Sequence, residues 1–452
     1  MATYQADYLI VGNSAAGVAA AEAIRARDAQ GSVLMVSREP YPAYGRPLIS
    51  YLVEGKTSED KIWLKPADFY EKARIETLFG PSFEAVALLP DEHRLKLANG
   101  DEVQYGSCLL ATGSVPFTPP IKGLAERDNV FPFMTLDDAK AAWAAAREAT
   151  KCAHETGRES RAIVIGAGLI GLKAAEALSH HVDEVLVLEL APRILPAVLD
   201  GEGAAILQEL LAEHGIVCKP GVSADEITGE GSTATGALLT DGERVSCDMV
   251  VAAVGVRPNS ALAVEAGAEQ GRGLVCDEAL RTTLPDVYAA GDLVQVTDAL
   301  DGAQRPLALW PNAVRQGKIA GAHMAGDAEA EPFTTSFAVN AVDFFDVSLL
   351  TSGVINPPDG ADFEVRTEIE GNRYAKFVTR AGKLVGYILL NRPENAGIYT
   401  ALIEQGTPLD EVDARMFDAA PCNLGFSADE RWARLHKGYP EDRDKRGWKE
   451  RA

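Results

Sequence analysis

The sequence predicts an α/β protein with two copies of one strand–turn–helix–strand unit and a smaller α+β region behind them. Three observations carry this. Two Gly-rich turns, Gly12-Asn13-Ser14-Ala15-Ala16-Gly17 and Gly166-Ala167-Gly168-Leu169-Ile170-Gly171, each separate a short apolar strand from an Ala-rich helix. Each helix leads to a second apolar strand, Val33 to Val36 and Val185 to Leu188. Further on, Phe337 to Val354 alternates apolar with polar residues, as a half-buried strand does. Units of the first kind form Rossmann-like domains of three layers, a parallel sheet between helices.

The second copy is the more regular. Its first strand runs from Ala162 to Ile165. Gly166 permits the tight turn out of that strand, and Gly168 has no side chain to keep a pyrophosphate from the backbone. Gly171 lets the helix pack close to the strand, while Leu169 and Ile170 open the helix with free N–H groups. Glu189 lies 18 residues past Gly171, at the end of the next strand. An acid there accepts from both ribose hydroxyls of an adenosine and repels a 2′-phosphate, favouring NADH; Arg193, close in sequence, leaves NADPH open.

In the first copy, Asp7 to Val11 is a strand and a helix runs to about Arg27. Ser14 replaces the middle glycine, small enough to tolerate a phosphate and able to donate to it, followed by Ala15, Ala16 and Gly17. The nearest acid to the end of the following strand is Glu39, the candidate ribose ligand. The rest is bounded by composition. A chain of 452 residues suggests two to four domains, and a net charge of −23 opposes nucleic-acid binding. The six cysteines (108, 152, 218, 247, 276 and 422) are never closer than 29 residues, which opposes an iron–sulfur cluster, a zinc ribbon or a dithiol and suggests buried small hydrophobes. The seven histidines form no ligand cluster, so no metal site is expected. A start without a basic, apolar leader and the lack of a long apolar run point to a cytoplasmic protein with no membrane segment.

Tyr44-Gly45-Arg46-Pro47-Leu48-Ile49-Ser50, with the two turns, is similar to the FAD- and NAD(P)H-dependent pyridine nucleotide oxidoreductases. The branch concerned holds rubredoxin reductases, ferredoxin reductases, NADH oxidases and nitrite reductase flavin domains. The resemblance implies that the first turn holds FAD, the second NAD(P)H, and that Arg46 and Pro47 contact the flavin. It continues in order. Ala111-Thr112-Gly113 resembles the crossing out of the FAD domain, and Gly255 to Asn259 the return. Gly291-Asp292 resembles the second FAD fingerprint, whose acid takes hydrogen bonds from the ribityl chain. Trp310, Pro311 and Ala313 lie in a segment resembling the helix whose N-terminus points at the flavin's pyrimidine end. Residues 1–113 and 251–328 are thus expected to form the FAD domain and 114–250 an inserted NAD(H) domain. Ala141 to Thr150 reads as an Ala-rich helix, and Lys151 to Arg161 as a polar connector. Residues 329–410 form the expected C-terminal interface domain. Its strands include Tyr374 to Thr379 and Lys383 to Leu390, and a helix passes through Ile398 to Ile403. Residues 411–452 form a charged tail for docking a partner, with Trp432 and Trp448 as anchors.

Related disulfide reductases and peroxidases carry a redox cysteine near the flavin; here the segment has Tyr44, and no cysteine precedes Cys108. Electrons from NADH then need an external acceptor. The resemblance implies an iron–sulfur or rubredoxin-like partner, reached as a homodimer or within a hetero-oligomer. The run Gly171 to Leu178 looks like that of FAD subunits in 2-oxoacid or aldehyde oxidoreductases of the phenylglyoxylate dehydrogenase type. Alternatives are a free-standing NADH oxidase using oxygen and a structural subunit with vestigial sites. Relatives carry a lysine after the Arg-Pro-x-Leu-Ser serine and a glutamate beyond the NAD-motif glycine; here those positions are Tyr51 and Lys173. Lys173, in what reads as the first helical turn, is the candidate catalytic residue at the flavin N5 region, or else a side chain extended to water.

Overall fold

The structure is a computed structural model and describes residues 2–359, 362–394 and 396–412. The chain divides into two compact units, one through Ala338 and the other from Val339.

The first unit is built around two sheets, one with a parallel core and an antiparallel flank and one wholly parallel. Thr3–Val11 lies between Val33–Ser37 and Glu102–Leu110, parallel to both, and Ile75–Phe79 extends the sheet beyond Val33–Ser37. Val287–Ala289 adds in parallel to the end of Glu102–Leu110, placing residues from distant parts of the chain in one sheet. Arg94–Leu97 and Ala85–Leu89 complete the far side as antiparallel strands. The strands are apolar because both faces are covered: Leu9, Ile10, Met35, Val36, Cys108 and Leu109 are fully buried. The second sheet runs Ile216–Pro220, Glu184–Glu189, Arg161–Ile165, Met249–Ala252, Val130–Phe131, all parallel. A small antiparallel sheet, Ala224–Glu230, Thr233–Leu239 and Arg244–Ser246, packs its apolar face beneath it. The chain leaves the first sheet through Ser114–Pro116 and returns through Val256–Pro258, and these two segments pair with each other.

One helix differs from expectation. Leu136–Glu155 is longer at both ends than the Ala-rich core suggests, so the polar connector shrinks to residues 156–160. Thr135 starts it with a capping box to Asp138, and a buried stripe of Leu136, Ala139, Ala142, Ala146 and Ala153 carries it past Lys151.

The second unit is an antiparallel sheet in the order Val339–Phe344, Val347–Gly353, Lys383–Leu390, Arg373–Arg380, Glu364–Glu370. Ala381 and Gly382 both have positive φ, the mirror-image turn that suits a tight hairpin. Helix Ala396–Gln405 sets Tyr399 against the rings of Phe377 and Tyr387, 4.9 and 5.8 Å between centroids. The charged tail with Trp432, Trp448 and Cys422 lies outside the described residues from position 413 onward.

Candidate functional site: two Gly-rich turns and the seam beside them

Among the described helices longer than ten residues the N-termini fall into two groups, while shorter ones such as Ala261–Glu265 also lack a side-chain cap. The helices starting at Leu136 and Gly201 are capped, by Thr135 and by Asp200, which accepts from Gly203 N–H at 3.0 Å. Three others have no side-chain cap and no acid in the first turn: Ala15–Arg27 after Ser14, Leu169–Ser179 after Gly168, and Trp310–Met324 after Leu309, with Pro311 near its start. Their N–H groups and positive ends are left for an anion or an electron-rich ring. A side chain at Gly168 would meet nothing within 4 Å, whereas one at Gly171 would strike the Gly166 carbonyl. The open glycine is the one expected to face a phosphate, and the crowded one to pack the helix on its strand.

The fold gathers the first set of expected residues around the Gly12 turn. A Cβ on Gly12 would strike the Ala111 carbonyl, and Gly291 faces Ala16 and Ala313, 3.5 and 3.9 Å from its own Cβ position. Gln316, buried on the Trp310 helix, accepts from Gly291 N–H at 2.7 Å. The helix crosses Ala15–Arg27 so closely that a Cβ at Gly317 or Gly321 would strike the carbonyl of Ala16 or Ala20. Thr112 and Gly113 are stitched to the return segment: Thr112 Oγ1 donates to Asn259 O at 2.7 Å, and Asn259 N donates to Gly113 O at 2.9 Å. Gly255 has φ +107°, with open space where a side chain would go. Burial raises the Asp292 pKa, opposed by the Ser114 hydroxyl, which donates to it at 3.0 Å, and by the Arg46 charge.

Glu39 is more engaged than its loop position suggests. One carboxylate oxygen pairs with Arg46 and the other accepts from Tyr44 Oη at 2.6 Å. Arg46 also donates to Met134 O at 3.2 Å, and Tyr44 Oη accepts from Leu136 N at 3.0 Å. Pro47 follows as the residue before helix Leu48–Val53. Each Glu39 oxygen keeps a second lone pair for a ribose hydroxyl.

At the second turn, Glu189 accepts from Ala167 N at 2.7 Å through one oxygen and from Ala191 N at 2.8 Å through the other. The carboxylate is thereby fixed beside the turn. Arg193 points elsewhere: Nε donates to Leu199 O at 3.1 Å and Nη2 to Pro196 O at 3.3 Å. Ile170 and Leu190 are apolar and exposed beside this turn, 40% and 72% accessible.

Lys173 is the fifth residue of its helix, one turn further in than the sequence suggests. It does not extend to water. Its side chain is 12% exposed, pairs with Glu176 and with Glu54 at 3.2 Å, and lies 4.6 Å from the Tyr51 ring centroid. Lys56 joins from the other side, 2.7 Å from Glu54, 3.2 Å from Glu176 and 5.8 Å from the same ring. Glu54, Lys56 and Glu176 were not expected at the site. Glu176 has the i+3 spacing from Lys173 as a signal; Glu54 and Lys56 have none, because only the fold brings the segment that ends helix Leu48–Val53 to this one. His181 adds to the same seam, its Nε2 2.6 Å from Val53 O.

Among the described residues no thiol is placed at these turns or at the seam. Burial pushes Cys218, Cys247 and Cys276 up to about 12 and Cys108 higher still, while Cys152 departs from expectation by lying exposed on the outer face of helix Leu136–Glu155. Among the described residues no group of three or more His, Cys, Asp or Glu is arranged to hold a metal, and no helix is long and apolar enough to cross a membrane.

A family model described as pyridine nucleotide-disulphide oxidoreductase matches residues 6–317. The NADH-dependent phenylglyoxylate dehydrogenase subunit epsilon of Aromatoleum evansii is 30% identical over 421 residues, 92% of this chain and 96% of that protein. The NADH oxidase of Methanocaldococcus jannaschii is 34% identical over 325 residues, 70% of each chain. Among solved structures, the ferredoxin reductase for the CYP199A2 system from Rhodopseudomonas palustris superposes with a TM-score of 0.78 at 26% identity, over 90% of this chain and 96% of that one.

Proposed function

Because the chain belongs to the pyridine nucleotide-disulphide oxidoreductase family, we propose that it is an FAD-dependent oxidoreductase that exchanges electrons between NAD(H) and an iron–sulfur or rubredoxin-like protein. The observation that carries the reading is the contrast among the described helices longer than ten residues: those starting at Ala15, Leu169 and Trp310 have uncapped N-termini at the residues expected to meet the two nucleotides, while those starting at Leu136 and Gly201 are capped. FAD held there would supply the redox chemistry, exchanging two electrons as a hydride on the NAD(H) side and single electrons on the partner side.

The chain's own residues bind and orient. Beyond Gly12, whose N–H donates to Val36 O and which opens the turn, Ser14, Ala15, Ala16 and Gly17 present N–H donors to the FAD pyrophosphate, with Glu39 on the ribose and Arg46 and Pro47 along the flavin. Ala111, Thr112, Gly113 and Gly255 keep the backbone open at the crossing. Asp292, after the close turn at Gly291, takes the ribityl hydroxyls, and Trp310, Pro311 and Ala313 begin the helix whose positive end favours the charge of reduced flavin. Gly166, Gly168, Leu169, Ile170 and Gly171 hold the NAD(H) pyrophosphate, and Glu189 the adenosine ribose. Lys173 faces the flavin N5 region. The division into an FAD domain (1–113 and 251–328), an inserted NAD(H) domain (114–250) and an interface domain (329–410) is part of the same reading.

Similarity over nearly the whole chain to a phenylglyoxylate dehydrogenase subunit supports work inside a 2-oxoacid or aldehyde oxidoreductase complex, in the direction of NAD reduction. Free, widely spaced thiols and the need for NADH support a cytoplasmic location. The test is native co-purification combined with anaerobic titration. Flavin absorbance, bleaching by NADH and an iron–sulfur or rubredoxin-like companion are expected; flavin-free protein, or flavin that NADH leaves oxidised, overturns the reading. Similarity to an archaeal NADH oxidase favours a second reading, in which rapid NADH-dependent oxygen consumption by the isolated chain replaces the partner.

A further inference from the structure

We propose that Glu54 and Lys56 are positioning residues which, with Glu176, hold the Lys173 ammonium on the Tyr51 ring and set the charge beside the bound flavin. This rests on the reading of the Gly12 and Gly166 turns as FAD and NAD(H) sites.

The geometry is a closed ring of alternating charge. Each carboxylate touches both lysines: Glu54 lies 2.7 Å from Lys56 and 3.2 Å from Lys173, while Glu176 lies 3.2 Å from Lys56 and also pairs with Lys173. Both glutamate side chains are fully buried. The buried Glu54 oxygens are met by the two lysine ammonium groups, Lys56 at 2.7 Å and Lys173 at 3.2 Å. The lysines differ. Lys173 is 12% exposed and Lys56 42%, so one is enclosed and the other forms the water-facing rim. Burial works against the Lys56 ammonium, yet the two carboxylates outweigh it and raise its pKa. Half of the ring comes from the segment after Arg46 and Pro47, and half from the helix whose uncapped start lies at Gly168. The ring therefore sits on the seam between the elements assigned to the two nucleotides.

Two carboxylates and two ammonium groups cancel. Removing one member leaves a unit charge in a poorly screened place, and its sign depends on the member removed. Glu54→Gln leaves an excess positive charge, which favours electrons on the flavin. Lys56→Met leaves an excess negative charge, which opposes them. The double variant restores the balance. A ring that only braced the fold would instead weaken flavin binding in both single variants, with no opposition of sign.

The experiment is a spectroelectrochemical titration of the purified flavoprotein and its variants, with stopped-flow reduction by NADH alongside. Expected are a flavin midpoint potential raised in Glu54→Gln, lowered in Lys56→Met and returned towards the wild-type value in the double variant, with reduction rates following in order. Shifts in the same direction, or none, overturn the proposal. Should Glu54→Gln fail to fold, the rim variant Lys56→Met decides alone: a lowered potential supports the proposal and an unchanged one overturns it. Wild-type protein without flavin overturns the cofactor reading beneath it, whereas flavin-bearing variants with unshifted potentials overturn only the role of the ring.

Discussion

A carboxylate held by two backbone N–H groups cannot turn away from a ligand. Glu189 is held so by Ala167 and Ala191, and Arg193, the residue best placed in sequence to welcome a 2′-phosphate, is committed to the carbonyls of Pro196 and Leu199. Glu189→Ala should therefore lower kcat/KM for NADH and narrow its advantage over NADPH, each by roughly ten- to a hundredfold, since a charged hydrogen bond is worth roughly 1.5–3 kcal/mol. Steady-state kinetics with both nucleotides checks this; an unchanged ratio removes Glu189 from the specificity argument. Asp183 is a structural counterpart. Ser160 donates to it through backbone N and hydroxyl, with His154 alongside, and these hydrogen bonds lower its pKa to about 2 from 3.8. A carboxyl lowered on folding stabilises above its unfolded pKa, and that contribution fades as pH falls from about 4 through about 2. Asp183→Ala should lower Tm at neutral pH and flatten the Tm-against-pH curve below about pH 4; an acid limb as steep as wild type refutes the assignment. Legibility at this scale follows locality. Glu189 was legible because strand length fixes its distance from Gly171. Glu54 was not, since 119 positions separate it from Lys173 in the chain and its ion pairs exist only once the helices meet.

Among the helices, stability and binding pull apart at the N-terminus. Gly168 has an extended backbone that any residue adopts, and a side chain there enters open space. Gly168→Asp should cap the helix, leaving Tm equal or higher by an amount consistent with about 0.3–1 kcal/mol, while NADH binding falls tenfold or more. Calorimetry of binding beside thermal melting tests both halves, and retained NADH affinity would refute the phosphate assignment. The crossing of Ala15–Arg27 with Trp310–Met324 gives the opposite case, where binding and stability fall together. Gly321→Val has to push the Ala20 backbone aside, at a cost of about 1–3 kcal/mol, and should lower both Tm and the flavin-to-protein absorbance ratio. The Gly-rich turns were legible because steric constraint within a few residues writes them into sequence. The strand Glu364–Glu370 was missed because it is an edge strand, exposed on most of its length, and its Val365 and Ile369 leave too weak an alternation against the charges between them. The start of helix Leu136–Glu155 is less legible for another reason: its Thr135–Asp138 box lies outside the Ala-rich run that carries the helical pattern.

For the whole molecule the dominant quantity is charge, −23 over 452 residues. Such a field speeds encounter with a basic face and slows encounter with an acidic one, and salt screens both within about 10 Å at 0.1 M. Electron transfer to a partner with a basic docking face should slow as ionic strength rises, with NADH reduction of the flavin in the isolated chain changing less; stopped-flow at several salt concentrations separates the two. The uncapped helices have one more consequence, for the life of the protein rather than its turnover. A helix end completed by a ligand makes the folded state a function of ligand supply, and a ligand at a hundredfold over its Kd adds about 2.7 kcal/mol to the folded side. When vitamin supply for flavin synthesis falls, newly made chains lose that contribution and spend more time open to proteases. Abundance of this protein should then track riboflavin status even at constant transcription, because three helices begin without caps of their own.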